Sequence, residues 1–250
     1  MATIIAWTQE TWNPTTGCSR VSEGCRHCYA ERLSLKFGWS KKPWTKGNEK
    51  ENLVLHPERL NKPRSFKSGT KVFVNSMSDL FHPMIPDSYV AEVFSVMNDL
   101  PNITFQILTK RPERAATWPR LFYTGNIWQG ASIENRKSLT RLETLKQCPA
   151  QVRFLSLEPL LEDLGPLDLS GIHWVIVGGE SGPGFRPMPH VWARAIRDQC
   201  VSQGVPFFFK QSAAFRTEMG TSLEEENGSR WIWNQYPGSL TSPQRVKIAA

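Results

Sequence analysis

Short apolar runs alternate along the chain with longer segments in which apolar residues recur at helical spacing. Six of these runs are rich in β-branched and aromatic residues and end at polar or turn-forming residues, which is typical of buried strands. The predicted strands cover residues 72–75, 103–109, 127–132, 152–156, 174–177 and 206–210.

The segments between these runs predict helices. In residues 87–100, Val90, Val93, Phe94 and Met97 recur at the spacing of an amphipathic helix. Further helices are predicted over residues 29–37, 134–148 and 189–203. A strand–helix alternation repeated about six times predicts an α/β fold with a parallel sheet and crossover helices.

Polar side chains follow each predicted strand. In a parallel barrel the carboxyl ends of all strands lie on one face, whereas an open doubly wound sheet gathers them only at a switch point. One such polar cluster has a plain alternative explanation as a helix N-cap. Six clusters in a row favour a full or partial barrel with one polar site.

Composition agrees with a folded protein, since 40% of the residues are hydrophobic and 21% are charged. These values exclude a disordered or fibrous chain.

No apolar run approaches the roughly 18–20 residues that span a bilayer, and the first ten residues lack the basic start of a secretory signal. Five cysteines is an odd number for a disulfide framework. We therefore expect a cytoplasmic protein with reduced cysteines and no membrane contact.

The whole net charge of +7 comes from one stretch of the chain. Residues 36–71, called the basic segment below, hold 10 Lys or Arg and 3 Asp or Glu. Three prolines in this stretch predict a loop-rich insertion with at most short helices. Cations interleaved with aromatic residues such as Trp39 and Trp44 suit a nucleic-acid backbone and stacked bases. The alternative is a solvated loop whose tryptophans anchor it to the core.

The densest chemical signal is a loop with three cysteines. Cys18, Cys25 and Cys28 follow a C-x6-C-x2-C spacing, and Gly17 and Gly24 let the backbone fold around a bound group. Residues 17–28 are called the cysteine loop below. Metal or cluster binding is the favoured interpretation. Buried small side chains and redox-active or nucleophilic thiols are the alternatives.

The number of local ligands bears on which metal would bind. Structural zinc takes four ligands, and His27 lies inside the C-x2-C pair, where it is badly placed as the fourth. A [4Fe–4S] cluster held by three thiolates would keep one iron open for another ligand. Cys200 falls on the apolar face of a predicted helix and Cys148 at a helix end, so packing is expected of both.

Several strings of residues carry a resemblance to a known family. They are residues 12–14, 16–18, 24–32, 55–60, 74–82, 108–114, 156–161, 177–183 and 207–211. On these strings the chain resembles the phage-associated three-Cys-motif family, a radical S-adenosylmethionine (SAM)-like family usually described as phage protein of unknown function. The resemblance implies a full or partial (β/α) barrel of the radical SAM type over residues 1–211. The basic segment would be an insertion, and residues 212–250 an irregular C-terminal tail.

The resemblance also implies a cofactor site. Cys18, Cys25 and Cys28 would be catalytic residues that hold a [4Fe–4S] cluster, and the open iron would bind the amino and carboxylate groups of SAM. An electron from a donor such as flavodoxin or ferredoxin would then yield methionine and a 5′-deoxyadenosyl radical. His27 occupies the position where radical SAM enzymes usually carry an aromatic side chain near the adenine.

The expected cofactor-binding residues lie beside the cysteines and at the strand ends. They are His27, Asn75, Ser76, Lys110, Ser132, Glu134, Glu158, Gly178, Gly179, Glu180 and Lys210. The sequence departs from the radical SAM pattern in two places. The first cysteine gap is six residues instead of three, and the Gly-Gly-Glu string follows a late strand instead of the second.

Phage association and the basic segment together predict a nucleic-acid base or a modified nucleotide as the substrate, with DNA favoured. The expected reaction is modification or rearrangement, as in phage DNA hypermodification. Two alternatives remain open. One is a zinc-stabilised nucleic-acid-binding module without catalysis. The other is a non-radical hydrolase or transferase that uses Glu134, Glu158, Glu180 and Lys210.

Overall fold

The structure, a computed structural model, describes residues 3–118, 121–239 and 241–246. Its strands are β1 (Glu10–Trp12), β2 (Thr15–Thr16), β3 (Val54–Leu55), β4 (Lys71–Val74), β5 (Thr104–Thr109), β6 (Ile127–Ser132), β7 (Val152–Leu157), β8 (Trp174–Gly178), β9 (Phe207–Gln211), β10 (Leu223–Glu224), β11 (Arg230–Ile232) and β12 (Gln244–Arg245). Its α-helices are α1 (Tyr29–Lys36), α2 (Glu49–Asn52), α3 (Asp87–Asn98), α4 (Pro112–Thr117), α5 (Thr140–Lys146) and α6 (His190–Ser202). Over the part of the chain described, none of these helices has the length and apolar character that crossing a membrane requires.

Seven strands form one parallel sheet in the order β1-β4-β5-β6-β7-β8-β9. Within the described residues, β1 and β9 are its edges and do not pair with each other. Thr11 on β1 and Lys210 on β9 nevertheless line the same cavity. The sheet is therefore curled into a half-barrel, which confirms the prediction of an α/β fold with a partial barrel.

The six predicted strands are all present, each within one residue of its expected bounds. The seventh strand, β1, was missed because three residues are too few to display an alternating pattern. Its Trp12 is fully buried, and the indole Nε1 donates a hydrogen bond of 2.8 Å to the carbonyl oxygen of Arg59. This bond fixes the edge of the sheet against the basic segment.

The sheet buries both of its faces, as parallel sheets do. Residues that point outward, such as Val72, Val74 and Phe105, pack with α3, α5 and α6 in the larger core. The concave face carries a second buried cluster, which consists of Trp7, Phe73, Phe154, Trp174, Ile176 and Phe208. Trp7 and Phe73 also line the cavity, so this cluster is its apolar floor.

The predicted helix over residues 134–148 is shorter in the structure, where α5 covers Thr140–Lys146. Asn135 interrupts it because its side chain accepts a hydrogen bond from the backbone N–H of Ser138 and caps a 3-10 turn. Asn and Ser favour such caps over helix interiors. The interruption leaves Glu134 outside the helix, at the end of β6.

The basic segment contains α2, the short strand β3 and two 3-10 turns. Its tryptophans differ in their surroundings. Trp44 is only 3% exposed, and its indole Nε1 donates to the hydroxyl of Ser40 over 2.9 Å. The prediction that Trp44 stacks on bases is therefore wrong, because the ring is part of the core. Trp39 is 61% exposed.

The chain after β9 was expected to be an irregular tail, but β10, β11 and β12 form a three-stranded antiparallel sheet. The tail is joined to the half-barrel where the backbone N–H of Phe209 donates 2.8 Å to the carbonyl oxygen of Trp233. Residues 1–2 and 119–120 of the expected barrel, and residues 240 and 247–250 of the expected tail, lie outside the described residues.

Candidate functional site

A cavity of about 790 Å³ lies on the concave side of the sheet, where the carboxyl ends of the strands meet. Its wall brings together the three cysteines and most of the residues expected to bind a cofactor. Besides the cysteines, the lining includes His27, Asn75, Ser76, Lys110, Ser132, Glu158, Gly179, Glu180 and Lys210. Glu134 and Gly178 are not part of the lining.

The cysteines enter this wall from three consecutive local structures. Cys18 follows β2, Cys25 ends a 3-10 turn, and Cys28 is the residue before α1. All three are half-buried free thiols. In residues 3–118, 121–239 and 241–246, no three side chains of His, Cys, Asp or Glu are gathered as ligands of one ion. In a four-iron cluster each thiolate binds a different iron, so the thiols need not meet at one point.

Cys18 lies next to a nearly buried ion pair. Nη1 of Arg111 donates to Sγ of Cys18 over 3.6 Å and to Oδ2 of Asp79 over 2.9 Å. Nη2 of the same guanidinium donates 2.9 Å to the carbonyl oxygen of Ser19. Burial, followed by the Asp79 carboxylate, raises the pKa of the Cys18 thiol to about 12, although Arg111 acts in the opposite direction. The free thiol therefore keeps its proton at neutral pH, and a bound metal would have to displace it.

His82 also contacts the cysteine loop at Ser19, the residue after Cys18. Its Nδ1 accepts a hydrogen bond of 3.2 Å from the backbone N–H of Met84, so Nε2 carries the hydrogen and donates 2.9 Å to the hydroxyl of Ser19. Burial, and then the charge of Arg111, lower the pKa of His82 to about 4. The ring is neutral at physiological pH.

Glu134 holds the middle of the cysteine loop. The hydroxyl of Ser22 donates 3.0 Å to Oε1 of Glu134 and lies 3.8 Å from Sγ of Cys25. Gly24 packs directly on this carboxylate, since a Cβ on Gly24 would lie 2.3 Å from Cγ of Glu134. A glycine is needed at this contact because any side chain would overlap the glutamate.

The side chain of Glu134 is fully buried and is paired with Lys110 and Arg141. Nη1 of Arg141 donates to Oε2 over 2.9 Å, and Lys110 donates to Oε1. Burial alone would raise the pKa of Glu134, but the two cations together hold it below its ordinary value. The carboxylate is therefore ionised, with both oxygens occupied by protein donors.

Glu180 connects His27, the residue before Cys28, to the loop that follows β8. Nδ1 of His27 lies 2.9 Å from Oε2 of Glu180, and Arg186 binds both carboxylate oxygens, with Nη2 2.5 Å from Oε1 and Nε 3.0 Å from Oε2. Arg186 also donates 3.0 Å to the Glu23 carboxylate of the cysteine loop. At Gly182, which has a φ of +112°, a Cβ would lie 2.0 Å from Nη1 of Arg32. The loop after β8 is therefore packed tightly against the start of α1.

The opposite wall carries a second pair of charges. Nζ of Lys210 lies 2.9 Å from Oε2 of Glu158, and the hydroxyl of Ser156 donates 3.1 Å to Oε1. A Cβ on Gly178 would lie 3.1 Å from Oε2 of Glu158, so this glycine makes room for the carboxylate. Asn75, with a φ of 64°, lines the cavity and has a buried Oδ1 without a hydrogen-bond partner among the described residues.

The sequence places Asp79 and Arg111 in the polar clusters that follow two of the strands, and both line the cavity, but sequence reasoning assigned neither of them a role in holding the cysteine loop. Arg141 and Arg186 gave no comparable signal, because their partners are distant in the chain and only the fold brings them together.

The family model described as "Protein of unknown function (DUF5131)" matches residues 2–237. Spore photoproduct lyase complexed with dinucleoside spore photoproduct is 12% identical, with a TM-score of 0.43 over 94% of this chain and 67% of that one. A cysteine-to-serine mutant of that lyase is 12% identical, with a TM-score of 0.45 over 96% of this chain and 69% of that one. A double mutant with bound AdoMet and dinucleoside spore photoproduct is 12% identical, with a TM-score of 0.44 over 94% and 67%. No curated protein matches the chain.

Proposed function

The chain belongs to the DUF5131 family of unknown function, and we propose that it is a radical SAM enzyme acting on nucleic acid. One observation carries the proposal. The three cysteines share a single cavity with the polar ends of the parallel strands, on the face where enzymes with parallel barrels place their active sites.

The residues present fit a [4Fe–4S] cluster with bound SAM. The donor set is three thiols, and the described part of the chain places no fourth ligand with them, which suits a cluster that keeps one iron open. The unpartnered Oδ1 of Asn75 in the cavity wall is a free acceptor for a ligand donor. Three separate ion-pair networks contact the cysteine loop and hold it in place. They are centred on the carboxylates of Asp79, Glu134 and Glu180.

In this assignment Cys18, Cys25 and Cys28 are the cluster ligands, and each releases its thiol proton on binding iron. Reductive cleavage of SAM to methionine and a 5′-deoxyadenosyl radical is the chemistry that this cofactor pair supplies. A reducing partner such as flavodoxin or ferredoxin provides the electron.

The chain itself binds and orients SAM. Glu158 is suited to the amino group or ribose hydroxyls and Lys210 to an anionic group, because both charges face the cavity as a pair that can exchange partners. Glu180 is fully engaged with His27 and Arg186, so it shapes the wall next to Gly179. Trp7 and Phe73 on the cavity floor exclude water from the site.

The basic segment supplies the argument for a nucleic-acid substrate, with DNA favoured. Of its 10 basic residues, only Lys42, Arg59 and Arg64 form ion pairs among the residues that the structure describes. Of the other seven, Lys62 donates to the carbonyl oxygen of Thr11 and Lys71 lies over the ring of Tyr236. The remaining five are exposed and available to phosphates. Trp39 of the same segment lines the cavity, so a bound strand would lie close to the cofactor site.

Anaerobic reconstitution with iron and sulfide tests the proposal. We expect about four irons per chain and, after SAM and dithionite are added, release of 5′-deoxyadenosine. Replacing Cys18, Cys25 or Cys28 by Ala should abolish iron binding. Cys148→Ala and Cys200→Ala are the matched controls, since both thiols are buried in the core away from the cavity. Loss of iron in Cys200→Ala with retention in Cys18→Ala, or a colourless protein with one zinc, would contradict the assignment.

A further inference from the structure

Two large aromatic rings stand exposed side by side just after α1. Phe37 is 56% and Trp39 is 61% exposed. Their ring centroids are 5.2 Å apart and their planes meet at 32°. We call Phe37 and Trp39 the aromatic pair. Contiguous exposed apolar surface with a polar rim is typical of binding sites, whereas single exposed apolar residues are ordinary.

The turn that carries the aromatic pair is anchored to the protein. Gly38 adopts a φ of +70°, which ends the helix and turns the chain. The backbone N–H groups of Trp39 and Ser40 both donate to the carbonyl oxygen of Ser34, over 2.8 and 3.1 Å. The buried indole of Trp44 then holds Ser40 by its side-chain hydrogen bond of 2.9 Å. The rings are thus presented on a fixed turn, which lowers the entropy lost when a ligand binds.

Trp39, one member of the aromatic pair, lies at the edge of the cavity. Trp39 lines that cavity, as does Cys28 at the other end of α1. The eight residues of α1 extend about 12 Å. A ligand resting on Trp39 would therefore contact the cavity beyond the end of α1 that is remote from Cys28.

The surroundings of the rings are cationic. Nζ of Lys36 lies 5.6 Å from the centroid of Phe37. Lys36 and Lys41 are exposed, and neither has an ion-pair partner within the described ranges. An exposed aromatic face flanked by lysines without ion-pair partners in the part of the chain that the structure describes suits a planar base attached to a phosphate backbone, and an apolar peptide would leave these charges unmatched.

We propose that the aromatic pair is a platform on which one unpaired base of the substrate stacks, so that the protein binds single-stranded or locally opened nucleic acid in preference to an intact duplex. The inference rests on the proposed function in taking the substrate to be a nucleic acid. Bases inside a duplex are already stacked on their neighbours, whereas an unpaired base offers a free face. The contact is tolerant of sequence, because every base has such a face.

Binding of fluorescently labelled oligonucleotides tests the platform. The probes are a 12-nucleotide thymidine strand, an abasic strand of about the same length and charge, and a hairpin duplex. We expect the wild type to bind the thymidine strand most tightly. Trp39→Ala should weaken that binding by about 5- to 100-fold and leave the abasic strand unaffected. Trp39→Phe should restore most of the affinity.

Phe122→Ala is the matched control, because Phe122 is 69% exposed but does not line the cavity. Salt titration separates stacking from charge. Trp39→Ala should keep the wild-type slope of log affinity against log salt, and the Lys41/Lys42/Lys46→Glu variant should flatten it. Equal binding of the thymidine and abasic strands by the wild type, or wild-type affinity in both Phe37→Ala and Trp39→Ala, would overturn the inference.

The assay for 5′-deoxyadenosine without nucleic acid keeps the two proposals apart. Stacking with no 5′-deoxyadenosine would refute the radical SAM assignment and leave the platform intact. Release of 5′-deoxyadenosine together with oligonucleotide binding that does not depend on Trp39 would support the radical SAM assignment and refute the platform.

Discussion

The hydroxyl of Ser22 donates a hydrogen bond of 3.0 Å to Oε1 of Glu134, which lies 112 residues later in the chain. This bond joins the cysteine loop to the end of β6. The same carboxylate is the surface on which Gly24 packs and the shared partner of Lys110 and Arg141. The shape of the cysteine loop is thus set by the barrel itself.

Glu134→Gln should destabilise the protein and reduce the iron retained after reconstitution. The neutral amide leaves Lys110 and Arg141 without a counter-charge, and breaking a buried ion pair costs about 3–5 kcal/mol. Urea unfolding and iron analysis measure the two effects. Glu143→Gln is the control, since its pair with Lys146 is at the surface and should change stability by less than about 1 kcal/mol. Equal behaviour of the two variants would contradict the role of Glu134.

Gly24→Ala should impair cluster assembly with less effect on the rest of the fold. The added methyl would lie 2.3 Å from Cγ of Glu134, which forces the loop away from its support. Gly125→Ala provides the comparison, because its Cβ would meet only the flexible end of Gln151. Iron content and melting temperature would be measured for both. Full iron binding in Gly24→Ala would mean that the loop adapts without cost.

Arg111→Gln should lower the midpoint potential of the bound cluster. An N–H donor on a ligand sulfur favours the more negative, reduced state, and Nη1 of Arg111 occupies that position beside Cys18. If the bond strengthens by about 1 kcal/mol on reduction, the shift is roughly 40 mV. A redox titration followed by EPR measures it. Arg114→Gln, which removes contacts to His82 and Ile85 but none to sulfur, should leave the potential unchanged.

The stability of the metal-free protein should fall between pH 7 and pH 5 because of His82. Its pKa is about 4 when folded and near 6.5 when unfolded, so the unfolded chain binds the extra proton across this range. The contribution is fully present above pH 6.5 and is lost as the pH falls toward 4. The loss by pH 5 is roughly 2 kcal/mol. Urea unfolding of wild type and His82→Asn at both pH values isolates it, and parallel losses in the two proteins would exclude His82 as the cause.

Periodicity identified the parts of the fold that depend on local pattern. The buried strand runs and the helix at Val90–Met97 repeat regularly enough to be recognised without the fold, and the polar strand ends then followed from parallel topology. The sequence does not predict that Trp44 is buried while Trp39 is exposed, because both tryptophans lie in similar polar surroundings in the sequence. Only the hydrogen bond from Trp44 to Ser40 and the contacts around it decide which ring is buried.

The candidate site was predicted as a set of side chains with functional roles, and several of them turn out to be engaged with each other. Glu134 and Glu180 were expected to bind a cofactor, but the structure occupies their oxygens with Arg141 and Arg186. Such ion pairs depend on which segments are neighbours in the fold. The position of one charged residue in the sequence does not identify its partner.

The supports of the cysteine loop also determine when it takes shape during synthesis. His82 and Arg111 lie 63 and 92 residues downstream of Ser19. The supports of the rest of the loop lie 112, 153 and 163 residues downstream of the residues they hold. Contacts this distant form late in folding, and a growing chain cannot complete the set before the segment that includes Arg186 has left the ribosome. The cysteine loop of the nascent protein therefore lacks part of its support until most of the half-barrel exists, and if the loop holds a cluster as we propose, insertion of that cluster follows formation of the half-barrel.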